Sequence, residues 1–84
     1  PDVNVLCFQT GWVAFNFRRG ICILESYYRK DDSEQTAKEY WDAFKELAKV
    51  NGCNKIKMET KMEPDFWIEN YGFVHSKNLM EIVL

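Results

Sequence analysis

Residues 21–60 read ICILESYYRKDDSEQTAKEYWDAFKELAKVNGCNKIKMET, and this stretch decides the fold. Ile21 to Tyr28 is β-branched and aromatic, the composition of a strand. The chain then turns polar and highly charged from Arg29 to Glu34. Asp32, with Gln35 three residues later, has the form of a capping box. From there Ala37, Tyr40, Trp41, Phe44, Leu47 and Ala48 recur at helical spacing and build one apolar face. Lys38, Asp42, Lys45, Glu46 and Lys49 fall on the wet side. Gly52, after Asn51, sits where a helix C-terminal glycine belongs. Lys55 to Lys61 then alternates, with Ile56, Met58 and Thr60 on one face and Lys55, Lys57, Glu59 and Lys61 on the other. A strand, a full-length helix and a second strand in this order form a crossover. The two strands are therefore parallel neighbours, and a right-handed connection is expected.

Working outward, Val3 to Phe8 is a strand that is apolar on both faces, which predicts cover from both sides. Thr10-Gly11 breaks it. Trp12 to Phe17 is a second strand with Val13, Phe15 and Phe17 on one face, and Arg18-Arg19-Gly20 is a tight turn into Ile21. On the other side, Pro64 suits the first turn of a helix over Asp65 to Tyr71, which Gly72 stops. Phe73-Val74 leads into a polar turn holding His75, and Leu79 to Leu84 is a last strand. The predicted class is α+β with a mixed sheet in the order β-β-β-α-β-α-β. An antiparallel meander is followed by a parallel β-α-β crossover, and residues 1–84 form a single domain.

Composition narrows the functions. Eighty-four residues suit one domain. Thirteen aromatic residues (six Phe, four Tyr, three Trp) give so short a chain a substantial core. A net charge of -2 argues against a nucleic-acid binder. No apolar run approaches the ~18 residues of a membrane span, and no signal peptide is visible. The first residue, Pro1, reads as a processed or a trimmed start. Cys7, Cys22 and Cys53 are sparse and unpaired in spacing, so they read as buried reduced thiols of a cytoplasmic protein. With His75 the only histidine, no metal site is expected.

The order and spacing over residues 21–84 resemble the core of the GNAT superfamily of acyl-CoA-dependent N-acetyltransferases. The resemblance is carried by the strand ending in Tyr28-Arg29 and by the amphipathic helix closing on Asn51-Gly52-Cys53. The strand Lys55 to Thr60 and the short helix closing on Tyr71-Gly72-Phe73-Val74 complete it. The resemblance implies a loop after the central strand that presents backbone N–H groups to the pyrophosphate of acetyl-CoA. In this sequence it falls on Tyr28, Arg29, Lys30, Asp32, Ser33 and Glu34. The family has glycines there, whereas Asp32 and Glu34 crowd the site and, with Asp31, repel phosphate. Like charges at about 4 Å cost on the order of 1 kcal/mol in water and more near a protein surface. The family's tyrosine acid, four residues before the helix-ending glycine, is Ile68 here, and Tyr71 is the nearby hydroxyl. Glu25, on the central strand, lies near the place a family base can occupy. The family's N-terminal strand and two helices have no counterpart in this sequence, so the resemblance implies a compact or trimmed version of the fold.

Two functions follow. One is a GNAT-like domain, degenerate at the acyl-CoA site, that acts by binding a protein partner, as an accessory protein of a phage or mobile element. Its surface would draw on Trp12, Arg18, Arg19, Tyr27, Tyr28, Trp67 and Tyr71. The other is an acetyl-CoA-dependent N-acetyltransferase with an atypical pyrophosphate loop, in which Glu25 and Tyr71 are catalytic. A homodimer is a further expectation, because an apolar first strand at a sheet edge invites a second copy. No membrane partner is expected.

Overall fold

A computed structural model describes residues 3–30, 33–59, 61 and 63–84, and for Glu34 the backbone alone. Asp31, Asp32, Thr60 and Met62 lie outside the described residues. The chain runs β1 (Asn4–Phe8), β2 (Gly11–Arg18), β3 (Ile21–Arg29), α1 (Glu34–Val50), β4 (Lys55–Glu59), α2 (Pro64–Tyr71), β5 (Val74–Ser76) and β6 (Leu79–Val83). The six strands make one sheet in the order β1-β2-β3-β4-β6-β5. β1, β2 and β3 form the antiparallel meander. β3 and β4 pair in parallel across α1, as the strand-helix-strand pattern requires.

Local chemistry explains the joints. Arg19 and Gly20 both take positive φ, 50° and 79°, the geometry of the two-residue hairpin turn whose twist suits its strands. Ser33 caps α1: its side chain accepts from the Thr36 N–H at 3.2 Å. The cap is therefore Ser33 and not Asp32. Gly72, at φ 78°, ends α2 with its N–H bonded to the Trp67 carbonyl.

Both helices pack on one face of the sheet. Trp41 of α1 meets Trp67 and Tyr71 of α2, with ring centroids 5.7 and 5.1 Å apart. Beneath them lie the inward residues of every strand but β5, among them Val13, Phe15, Leu24, Ile56, Met58 and Met80. Among the described residues no helix covers the opposite face. There Lys55 and Lys57 pair with Glu81 at 3.5 and 3.8 Å.

That one-sided arrangement corrects three expectations. β1 is an edge strand: Leu6 and Phe8 pack inward, but Val5 is 57% exposed. Cys7 is exposed, while Cys22 and Cys53 are buried, and all three thiols are free. The polar segment around His75 is strand β5, hairpinned to β6 through Lys77 at φ 57°. Three exposed residues carry no alternation long enough to read as a strand.

The buried thiols give the fold an alkaline limit. Burial, with the nearby Cys53 second, pushes Cys22 from 9.0 up to about 12. Burial also raises Cys53. The folded thiol holds its proton more tightly than the unfolded one, so this stability is intact below pH 9 and is lost as pH rises toward 12. One such group gives a slope of up to about 1.4 kcal/mol per pH unit. Denaturant titrations from neutral to alkaline pH should show that decline, and Cys22→Ala should flatten it.

Candidate functional site

β3 and β4 pair only from Ile21↔Lys55 to Leu24↔Met58. β4 stops at Glu59, while β3 continues to Arg29 against β2. The two strands therefore open a wedge, and among the described residues no strand pairs with residues 25–29 of β3 on that side. On the helix side, α1 and α2 wall the wedge. On the other face it opens as a hollow of about 150 Å³ between Glu25, Lys57, Glu59 and Leu79.

The helix side is filled by aromatic side chains. The Tyr27 hydroxyl donates to the Glu63 carboxylate and accepts the Trp67 indole N–H at 3.3 Å. The Tyr27 and Trp67 rings meet edge to face, with centroids 5.5 Å apart. Burial first, then the bond to Glu63, pushes the Tyr27 phenol up to about 12, so it is a protonated donor at neutral pH. Glu63 sits in the left-handed region, φ 51° and ψ 59°, at the start of α2 and makes no side-chain cap there. Its carboxylate instead accepts from Tyr27 across the wedge and so ties the start of α2 to β3. Phe66 closes the outer end, with the Arg29 guanidinium 4.9 Å above its ring. The remaining cavity, between Tyr27, Tyr40, Trp41, Phe44 and Trp67, is about 40 Å³. That volume is enough for a water molecule or two. A shallower groove of about 310 Å³ adjoins it on the outside, between Lys38 and Asp42 of α1 and Asn70 and Tyr71 of α2.

The latch makes a testable contribution. Tyr27→Phe keeps the ring and removes the hydroxyl, leaving Trp67 Nε1 with no acceptor. The expected loss is about 1–2 kcal/mol, or roughly 5–10 °C in melting temperature for a domain of this size. A melt unchanged to within a degree would show that the latch holds nothing.

The sequence-derived site residues fall in different places. Glu25 lies on the open face and accepts from the Asn16 side-chain amide. Tyr71 lies on the helix face, half-buried against Trp41, Phe66 and Trp67. The sheet separates the two, so they do not converge on one reacting atom. Around the loop, the Lys30 N–H is bonded to the Thr10 carbonyl at 2.8 Å. The Thr36 N–H is bonded to the Ser33 hydroxyl. Two backbone donors that could meet a phosphate are thus already engaged. Tyr28 is 51% exposed and turns to the open face beside Trp12, itself 39% exposed. Trp67, expected at a binding surface, is buried, while Tyr27 and Tyr71 are half-buried. Asp32 lies outside the described residues. Glu63 was missed by sequence reasoning: it stands 36 residues from Tyr27, and a glutamate before Pro64 reads as an ordinary helix start.

No family model matches the chain, and no curated protein matches it by sequence. Solved structures do match. Anti-CRISPR protein AcrVA5 superposes with a TM-score of 0.74 at 12% identity, over 95% of this chain and 97% of that one. An acetyltransferase from Bacillus cereus ATCC 14579 superposes with a TM-score of 0.66 at 17% identity, over 99% of this chain and 72% of that one. The fold is GNAT-like. No helix among the described residues is long and apolar enough to cross a membrane.

Proposed function

We propose that this protein is a compact GNAT-fold accessory protein that acts by binding another protein, its acyl-CoA wedge being filled by its own side chains. The observation that carries this reading is the Tyr27–Glu63–Trp67 latch, which leaves about 40 Å³ beneath it. A pantetheine arm does not fit that space. The engaged amides of Lys30 and Thr36 and the acidic start of α1 disfavour a pyrophosphate beside it. The partner surface is the open sheet face around Trp12 and Tyr28, with Arg18 and Arg19 at its end. The close match in length to an anti-CRISPR protein supports a phage or mobile-element setting, and makes components of a CRISPR system the first partners to screen.

A capture experiment tests the surface. The immobilised protein should retain a protein that a folded Trp12→Ser, Tyr28→Ser double variant loses. Equal retention by both would remove this face from the account.

A second reading has its own support. The outer groove of about 310 Å³ adjoins the wedge, and residues 25–29 of β3 present an unpaired strand edge to it. An acetyl-CoA-dependent N-acetyltransferase with an atypical loop would need Trp67 to leave Tyr27, with Glu25 as its base. Incubation with acetyl-CoA and a lysine-rich peptide, read by mass spectrometry, should show no acetyl transfer under the first reading and transfer under the second.

A further inference from the structure

We infer that two copies of this chain associate by antiparallel pairing of their β1 strands about a two-fold axis at Val5. Among the described residues β1 pairs with β2 alone and ends the sheet. An antiparallel ladder alternates, so every second residue of β1 turns its N–H and C=O away from β2, toward the open edge. Natural edges are guarded by charge, proline, a bulge or extreme shortness. Residues 3–8, Val-Asn-Val-Leu-Cys-Phe, hold no charged residue and no proline. Their pairing with β2 is unbroken from Asn4↔Phe15 to Phe8↔Gly11. The opposite edge differs. β5 is only three residues long, is polar at His75 and Ser76, and is followed at once by Lys77.

Charge selects the second copy as the occupant. A strand laid antiparallel on its own copy sets each residue against one from the same strand. Any charge near the axis would then meet its like, which destabilises a cross-strand pair. β1 has none. An axis at Val5 sets Val5 against Val5, and Val3 against Cys7 of the other copy. Val3 and Val5 are each 57% exposed and Cys7 is exposed, so these contacts bury apolar surface that is wet in the single chain. The pairing of two five-residue strands is at the small end of protein interfaces, which places the dimer among weak, transient associations. The contact uses the strand edge. It stands apart from the Trp12–Tyr28 face and does not depend on whether acetyl-CoA binds.

Sedimentation from low to high micromolar concentration tests the pairing in the full chain. The expected result is a monomer–dimer equilibrium that Val5→Lys shifts to monomer with its circular dichroism unchanged, because the two lysines would face each other. Cross-linking gives a second readout that does not rely on that variant. Val5→Cys in a Cys7→Ser background should oxidise to a covalent dimer much faster than Val50→Cys in the same background, Val50 being an exposed residue at the end of α1. A monomer at every concentration would overturn the inference. So would a dimer that survives Val5→Lys, or equal cross-linking at the two positions.

Discussion

Trp41→Ala is expected to remove about 3–5 kcal/mol of stability, the range for deleting a buried aromatic side chain. Domains of this size hold roughly 5–10 kcal/mol in total, so the variant should be near unfolding at physiological temperature. The residue is buried and links the two helices to each other and to the sheet. Its ring lies 5.1–6.5 Å from those of Phe44, Trp67, Tyr71 and Phe73. Alanine would leave a cavity bounded by four rings that cannot all move inward. Trp41→Phe keeps most of the contact and should cost less than half as much. Chemical denaturation measures both. A loss below about 1 kcal/mol for Trp41→Ala would mean that α2 does not dock on α1 as described.

Gly11→Ala is the second large effect, and its cause is backbone rather than packing. A Cβ built on Gly11 stands 2.2 Å from the Tyr28 carbonyl oxygen and 3.3 Å from the Arg29 Cα. Neither is the end of a flexible side chain, so β2 and β3 must separate to admit it. The expected loss is about 3 kcal/mol, at the upper end for overpacking. Gly11 also closes the β1–β2 hairpin opposite Phe8 and pairs with Arg29 at the end of the meander. Amide exchange should therefore quicken in β1 and at the Arg29 end of β3 before it does in β4. A variant as stable as the parent would contradict the Gly11↔Arg29 register.

The crossover was legible because its signals are local and periodic. The apolar face of α1, the alternation of Lys55 to Glu59, and the glycines at 20, 52 and 72 each fix a joint within a few residues. What covers each face was not legible. Val5 and Cys7 belong to an apolar strand that looks like core until both helices are found on the other side of the sheet. β5 was hidden by its length. The expectation that the glycine-poor loop is a poor phosphate site rests on sequence; the structure shows that the Lys30 and Thr36 amides are engaged within the chain. The latch itself could not be read. Tyr27 meets Glu63 and Trp67 across 36 and 40 residues, and no local pattern marks such a pairing.

The central claim is that the protein's own rings occupy the place of the acyl-CoA arm. A thermal melt with and without millimolar acetyl-CoA, checked by titration calorimetry, tests it most directly. A ligand at 100 times its dissociation constant stabilises a fold by roughly 2.7 kcal/mol, which is more than ten degrees for a domain of this length. The account predicts no shift and no heat of binding from a well-folded protein. A saturable shift, removed by a variant that fills the groove between α1 and α2, would contradict it and assign the wedge to the cofactor.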